Sequence, residues 1–113
     1  MNQEVTIDGI DIEIGSENPY ADLGFPDADE MLVKAKLAHE IAQIIKSRRL
    51  TQQSAAGLLG MPQPKLSEML RGKFRGISQA KMIECLNRLG RDVEIVVKKS
   101  NRSTLGHTQV VVA

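Results

Sequence analysis

Apolar positions along this chain follow two different rhythms. Near the N-terminus Val5, Ile7, Ile10 and Ile12 alternate with polar residues on either side of Asp8-Gly9. Period two around a dipeptide that accepts positive φ predicts a small β-hairpin, with Ile7 facing Ile10 and Val5 facing Ile12 on one face. Two strands alone are marginal in water, so such a hairpin needs a surface to pack on. The stretch from Gly15 to Pro26 is rich in turn formers and reads as a connector, with Tyr20, Leu23 and Phe25 able to lie against the body.

From Asp27 the rhythm becomes helical. Asp27 is placed to cap a long first helix while Glu30 reaches back to it. Leu37, Ile41, Ile44 and Ile45 share one face, with Lys34, Lys36, Glu40 and Lys46 mostly off it. The pattern stops near Arg48-Arg49, where positive charge suits the helix dipole. Thr51 is positioned to cap a short second helix carrying Ala55, Ala56, Leu58 and Leu59, which Gly60 closes as a left-handed stop. A third opens with Pro62 in its first turn, faces Leu66, Met69 and Leu70 inward, and ends at Gly72. Past the basic loop Lys73-Phe74-Arg75-Gly76, Ser78 caps a fourth, striped by Met82, Ile83, Leu86 and Leu89 and closed by Gly90. Strand periodicity returns at Val93, Ile95 and Val97, and a polar link from Ser100 to His107 leads to Val110-Val111-Val112. The expected fold is mainly α, a bundle of about four helices with short flanking β-strands at the N- and C-terminal ends. It divides into an N-terminal segment (1–26), a helical domain (27–91) and a C-terminal strand and tail (92–113).

Composition narrows the class. With 113 residues, 42% of them hydrophobic, there is room for one modest core, and 3% aromatics with no Trp leave it to aliphatic side chains and Met. No apolar run approaches the roughly 18 residues of a membrane span, and the acidic start lacks the basic head of a signal peptide, so no membrane role is expected and the expected address is the cytoplasm. One cysteine, Cys85, cannot form an internal disulfide and fits a reducing compartment.

Net charge is +1, yet it is unevenly spread. Met1 to Val33 holds nine acidic residues and no Lys or Arg; Lys34 to Ala113 holds all 15 basic residues against five acidic ones, a balance of +10. An acidic head on a basic body suggests an anionic partner for the body, or two solvated faces that attract each other.

The informative block is Thr51 to Lys73, TQQSAAGLLGMPQPKLSEMLRGK. Small residues on one helix, a glycine turn and a second helix with apolar inner positions are the parts of a helix-turn-helix, whose second helix can enter the DNA major groove. Thr51-Gln52, Ala55-Ala56, Gly60, Gln63-Pro64, Leu66-Ser67, Leu70 and Arg71-Gly72-Lys73 resemble the phage-repressor type, the Xre or Cro/C1 group. Tyr20 to Gly24 with Pro26-Asp27-Ala28, and Leu89 to Ile95, resemble its HigA-type antitoxin branch. The resemblance spans Asn18 to Lys99. It implies a phage-repressor-like fold, a dimer on double-stranded operator DNA and, for antitoxin members, a co-encoded ribonuclease toxin held inactive.

Gln63, in the first turn of the third predicted helix, can pair in a bidentate way with adenine, the contact the family makes at the matching position. Pro64 stands where many relatives carry a hydrogen-bonding side chain and is left with apolar contact, such as a thymine methyl. Lys65 can reach a guanine or a phosphate; Glu68 can accept from cytosine or remain a solvated surface residue. Gln52 resembles the family's backbone-clamping glutamine, and Ser67, Arg71, Lys73 and Arg75 would position the duplex without reading it. Residues 92–98 could pair with a symmetry mate, or with the hairpin or the Val110 run of the same chain.

An enzyme is not expected. Cys85 reads as a packing residue, His39 and His107 are far apart with no further Cys or His to complete a metal site, and no cofactor motif is present. The expected function is a sequence-specific transcriptional repressor, an autoregulating antitoxin. A stand-alone phage-type repressor and a protein- or RNA-binding module using the basic face are the alternatives.

Overall fold

The computed structural model describes residues 3–7, 10–14, 18–100 and 105–113. Strands β1 (Gln3–Ile7) and β2 (Ile10–Ile14) precede five helices: α1 (Pro19–Asp22), α2 (Ala28–Ser47), α3 (Gln52–Leu59), α4 (Gln63–Leu70) and α5 (Gln79–Arg88). The strands are antiparallel, with Val5 opposite Ile12 and Ile7 opposite Ile10. β1 lies beside α2 and β2 beside α1. The Asp8-Gly9 turn, the facing of the hairpin side chains, the Gly15–Glu17 start of the connector and the Asn101–Thr104 part of the polar link lie outside the described residues.

α2 is the spine. Met31, Ala35, Ala38, Ile41 and Ile45 recur at helical spacing and are buried, and α5 packs along this side through Met82, Cys85 and Leu86. Leu59 from α3, Leu66 and Met69 from α4, and Phe74 and Ile77 from the following loop close the core. The predicted caps at Thr51 and Ser78 and the three predicted glycine stops act as expected. The Thr51 and Ser78 side chains accept from the backbone N–H groups of Ser54 and Lys81, at 3.0 and 3.1 Å. Gly60, Gly72 and Gly90 take φ of 66°, 84° and 85° at three helix ends. At the end of α2 the same role falls to a non-glycine residue, Arg49 (φ 54°), while Leu50 N–H reaches Ile45 O at 3.0 Å.

The structure corrects several sequence-based expectations. The connector contains a helical turn, α1, so the described residues hold five helices where about four were expected. Asn18 accepts from Tyr20 N–H at 3.0 Å, Pro19 opens the turn, and Tyr20 is fully buried. An Asn cap followed by proline at the first helical position was the legible signal. Asp27 makes no side-chain cap bond to α2; Arg75 donates to it instead, and Glu30 pairs with Lys34 at 3.4 Å. A charged donor competes better for a carboxylate than a neutral amide does. Lys34 is not on the solvent side but 4% exposed. Pro62 sits at the N-cap of α4, one place ahead of its first turn.

The expected C-terminal strand is absent: residues 91–100 and 105–113 have no regular secondary structure. A strand exists through its ladder with a neighbour, and among the described residues β1 and β2 pair with each other. Among the described residues no helix is long and apolar enough to cross a membrane.

Candidate nucleic-acid interface

Three residues, Gly60 to Pro62, join α3 to α4. The left-handed Gly60 reverses the chain, and Met61 N–H reaches back to Ala56 O at 3.1 Å while its side chain is buried under the turn. Ala55 and Ala56, 0% and 5% exposed, are small enough to let α3 and α4 close on each other.

This packing decides which way α4 faces. Leu66 and Met69 are sealed into the core and Leu70 is half-buried. At 100° per residue, Pro64, Glu68 and Arg71 then form the outward ridge, with Lys65 on one flank and Ser67, half-buried, on the other. Gln63 is the first residue of α4 and exposed; Gln52 is the first residue of α3 and exposed. Lys73 is exposed just beyond the Gly72 stop, where its N–H closes the helix on Glu68 O at 2.9 Å. Among the described residues Lys65, Arg71 and Lys73 have no ion-pair partner.

Arg75 stands apart from them. Its guanidinium donates to the Asp27 carboxylate and lies 4.7 Å from the centre of the Phe25 ring. The Arg75 hydrogen bond holds the Asp27 carboxyl below its usual range, against a smaller opposing effect of burial. The other Asp27 oxygen is buried and has no hydrogen-bond partner among the described residues. Beneath the same loop, Lys34 Nζ donates to Arg75 O at 3.0 Å. This buried lysine, invisible to the sequence pattern, ties the basic loop to α2.

A second brace comes from α5. Helix α3 has no basic residue in its last turn, and its terminal carbonyls receive cations from another element. Lys81 Nζ donates to Leu59 O at 3.5 Å and Arg88 Nη1 to Leu58 O at 3.4 Å, while Glu84 accepts from both side chains at 3.0 and 3.3 Å. The Lys81 hydrogen bond lowers the Glu84 carboxyl below its usual value, with the charge of Lys81 adding to it. Cys85, fully buried beside this cluster, has its thiol pushed up by desolvation and is a packing residue, as expected.

A family model described as a helix-turn-helix domain matches residues 19–98. The chain belongs to this helix-turn-helix family. A solved structure described as a transcriptional regulator of the XRE family is 41% identical and superposes with a TM-score of 0.70, covering 78% of this chain and 99% of that one. The helix-turn-helix domain here is thus of the Xre group, with α3 and α4 as its paired helices. A comparison with curated proteins gives no match.

Proposed function

We propose that this helix-turn-helix protein is a sequence-specific transcriptional repressor that lays α4 in the major groove of operator DNA. The observation that carries this reading is the outward side of α4 and of the turn that follows it: Gln63, Lys65 and Glu68 are exposed beside the cations Arg71 and Lys73, and Lys65, Arg71 and Lys73 have no ion-pair partner among the described residues, while the other side of the helix is locked into the core. Gln63, Pro64, Lys65 and Glu68 meet base edges; Gln52, Ser67, Arg71 and Lys73 meet the backbone. Arg75 joins them only by leaving Asp27. The reading involves no catalytic step. One copy covers half a site, and a homodimer spans two half-sites about one helical turn apart.

Within this reading the protein is an antitoxin that controls its own gene. Support comes from the segment Met1 to Val33, whose nine carboxylates without a single Lys or Arg suit a basic protein partner. Fluorescence anisotropy with the DNA upstream of its own gene, against a scrambled duplex and across salt, tests the repressor. Selective binding with a steep salt slope is expected; weak binding equal on both duplexes overturns it and points to a protein or RNA partner. Copurification with the product of the adjacent gene tests the antitoxin, and failure of the two to co-elute overturns that part alone.

A further inference from the structure

The seven residues Asp92-Val93-Glu94-Ile95-Val96-Val97-Lys98 have strand periodicity but no strand partner among the described residues. Three of their four apolar side chains are left in water: Ile95, Val96 and Val97 are 79%, 76% and 93% exposed. The segment nonetheless belongs to the family's domain, because the family match runs through it and stops at residue 98. Its N-terminal end is anchored, since Val93 is half-buried against the core.

We infer that residues 92–98 pair antiparallel with the same residues of a second copy, forming a two-stranded ribbon with its two-fold axis at Ile95. This rests on the dimer reading above and deepens it by specifying the surface and the register.

The pattern is complementary to itself. With the axis at Ile95, Val93 faces the partner's Val97, Ile95 faces the partner's Ile95, and Val97 faces the partner's Val93, so one side of the ribbon is wholly apolar. On the other side Asp92 faces the partner's Lys98 and Lys98 the partner's Asp92, flanking Glu94 and Val96. A shift of one residue mixes the two faces. A shift of two, to an axis at Val96, sets Lys99 opposite Val93 on the apolar side. Beyond the ends Arg91 meets the partner's Lys99, a like-charge pair that limits the ribbon to seven residues.

The same register explains the exposure. Val93 lies at the edge of its own core, and Val97 lies four residues, or roughly 13 Å, further out. Pairing brings each Val97 opposite the partner's Val93, at the edge of the partner's core. The side chain most exposed in one copy is thereby covered by the other.

Oxidative crosslinking combined with sedimentation tests this in the full chain. Directly opposed residues of an antiparallel pair have Cα atoms about 4.5–5.5 Å apart, within disulfide reach. Ile95→Cys is therefore expected to give a covalent dimer on mild oxidation, and Val97→Cys is not. The native chain is the control, because Cys85 is fully buried. Asp92→Lys alone is expected to weaken association about tenfold, and the double change Asp92→Lys with Lys98→Asp to restore it to within about threefold. A dimer in which Ile95→Cys resists crosslinking, or in which the double change fails to recover, overturns the ribbon and leaves the dimer. A chain that sediments as a monomer overturns both.

Discussion

The Asp27 carboxylate accepts from Arg75, whose guanidinium lies over Phe25, so one ion pair joins the start of α2 to the loop after α4. Because the folded carboxyl titrates below its unfolded value, its contribution to stability is complete above about pH 4 and is lost as pH falls through the lower folded value. Asp27→Asn is expected to remove this part of the acid-side loss and leave a flatter stability profile below about pH 4, measured by urea unfolding across pH. An unchanged profile would show that the pair does not persist in solution. At Gln63 the consequence is informational. Gln63→Ala is expected to cost about 1–3 kcal/mol on the operator and little on scrambled duplex. Equal losses on both would remove Gln63 from base reading.

At the scale of elements, the angle of α4 depends on a turn held from both sides. Gly60 supplies the left-handed φ, and the Arg88 guanidinium lies over it, its Nη1 2.9 Å from where a Cβ would stand. That end of Arg88 is flexible and can move aside, so the backbone conformation dominates the effect of a substitution. Gly60→Ala is expected to destabilise the fold by about 1–2 kcal/mol, read from the midpoint of chemical denaturation. A loss under about 0.5 kcal/mol would mean that the turn relaxes out of the left-handed region. The cations that close α3 come from α5, and the lysine under the basic loop comes from α2. The helix-turn-helix pair is therefore shaped by the two helices behind it as much as by its own sequence.

For the whole molecule, the split of charge between an acidic head and a basic body makes ionic strength the natural variable. Removing one cation from a phosphate lowers the log–log salt slope of DNA binding by about one unit. Lys73→Ala is expected to lower the slope by this amount on operator and scrambled DNA alike. Arg75→Ala is expected to change the slope little, since Asp27 already neutralises Arg75. A unit change for Arg75→Ala, measured by anisotropy over a salt series, would show that DNA displaces Asp27.

The features readable in the chain were those made by near neighbours. The caps at Thr51 and Ser78 and the stops at Gly60, Gly72 and Gly90 bond residues only a few positions apart, and the apolar spacing of α2 to α5 marks the buried side of each helix, except at Leu58 of α3, which is exposed. With them came the helix-turn-helix and the outward set Gln63, Pro64, Lys65 and Glu68. Tertiary structure decided the long-range choices. Asp27 had a local amide and a distant guanidinium to choose between and took the guanidinium; Lys34 reached a carbonyl 41 positions away and went under cover to do so. Residues 92–98 carry the pattern of a strand, but a ladder needs a second strand, and the described part of one chain does not provide it. Local bonds are written in spacing, whereas a partner far along the chain, or on another copy, is selected only when the fold sets the competing groups side by side.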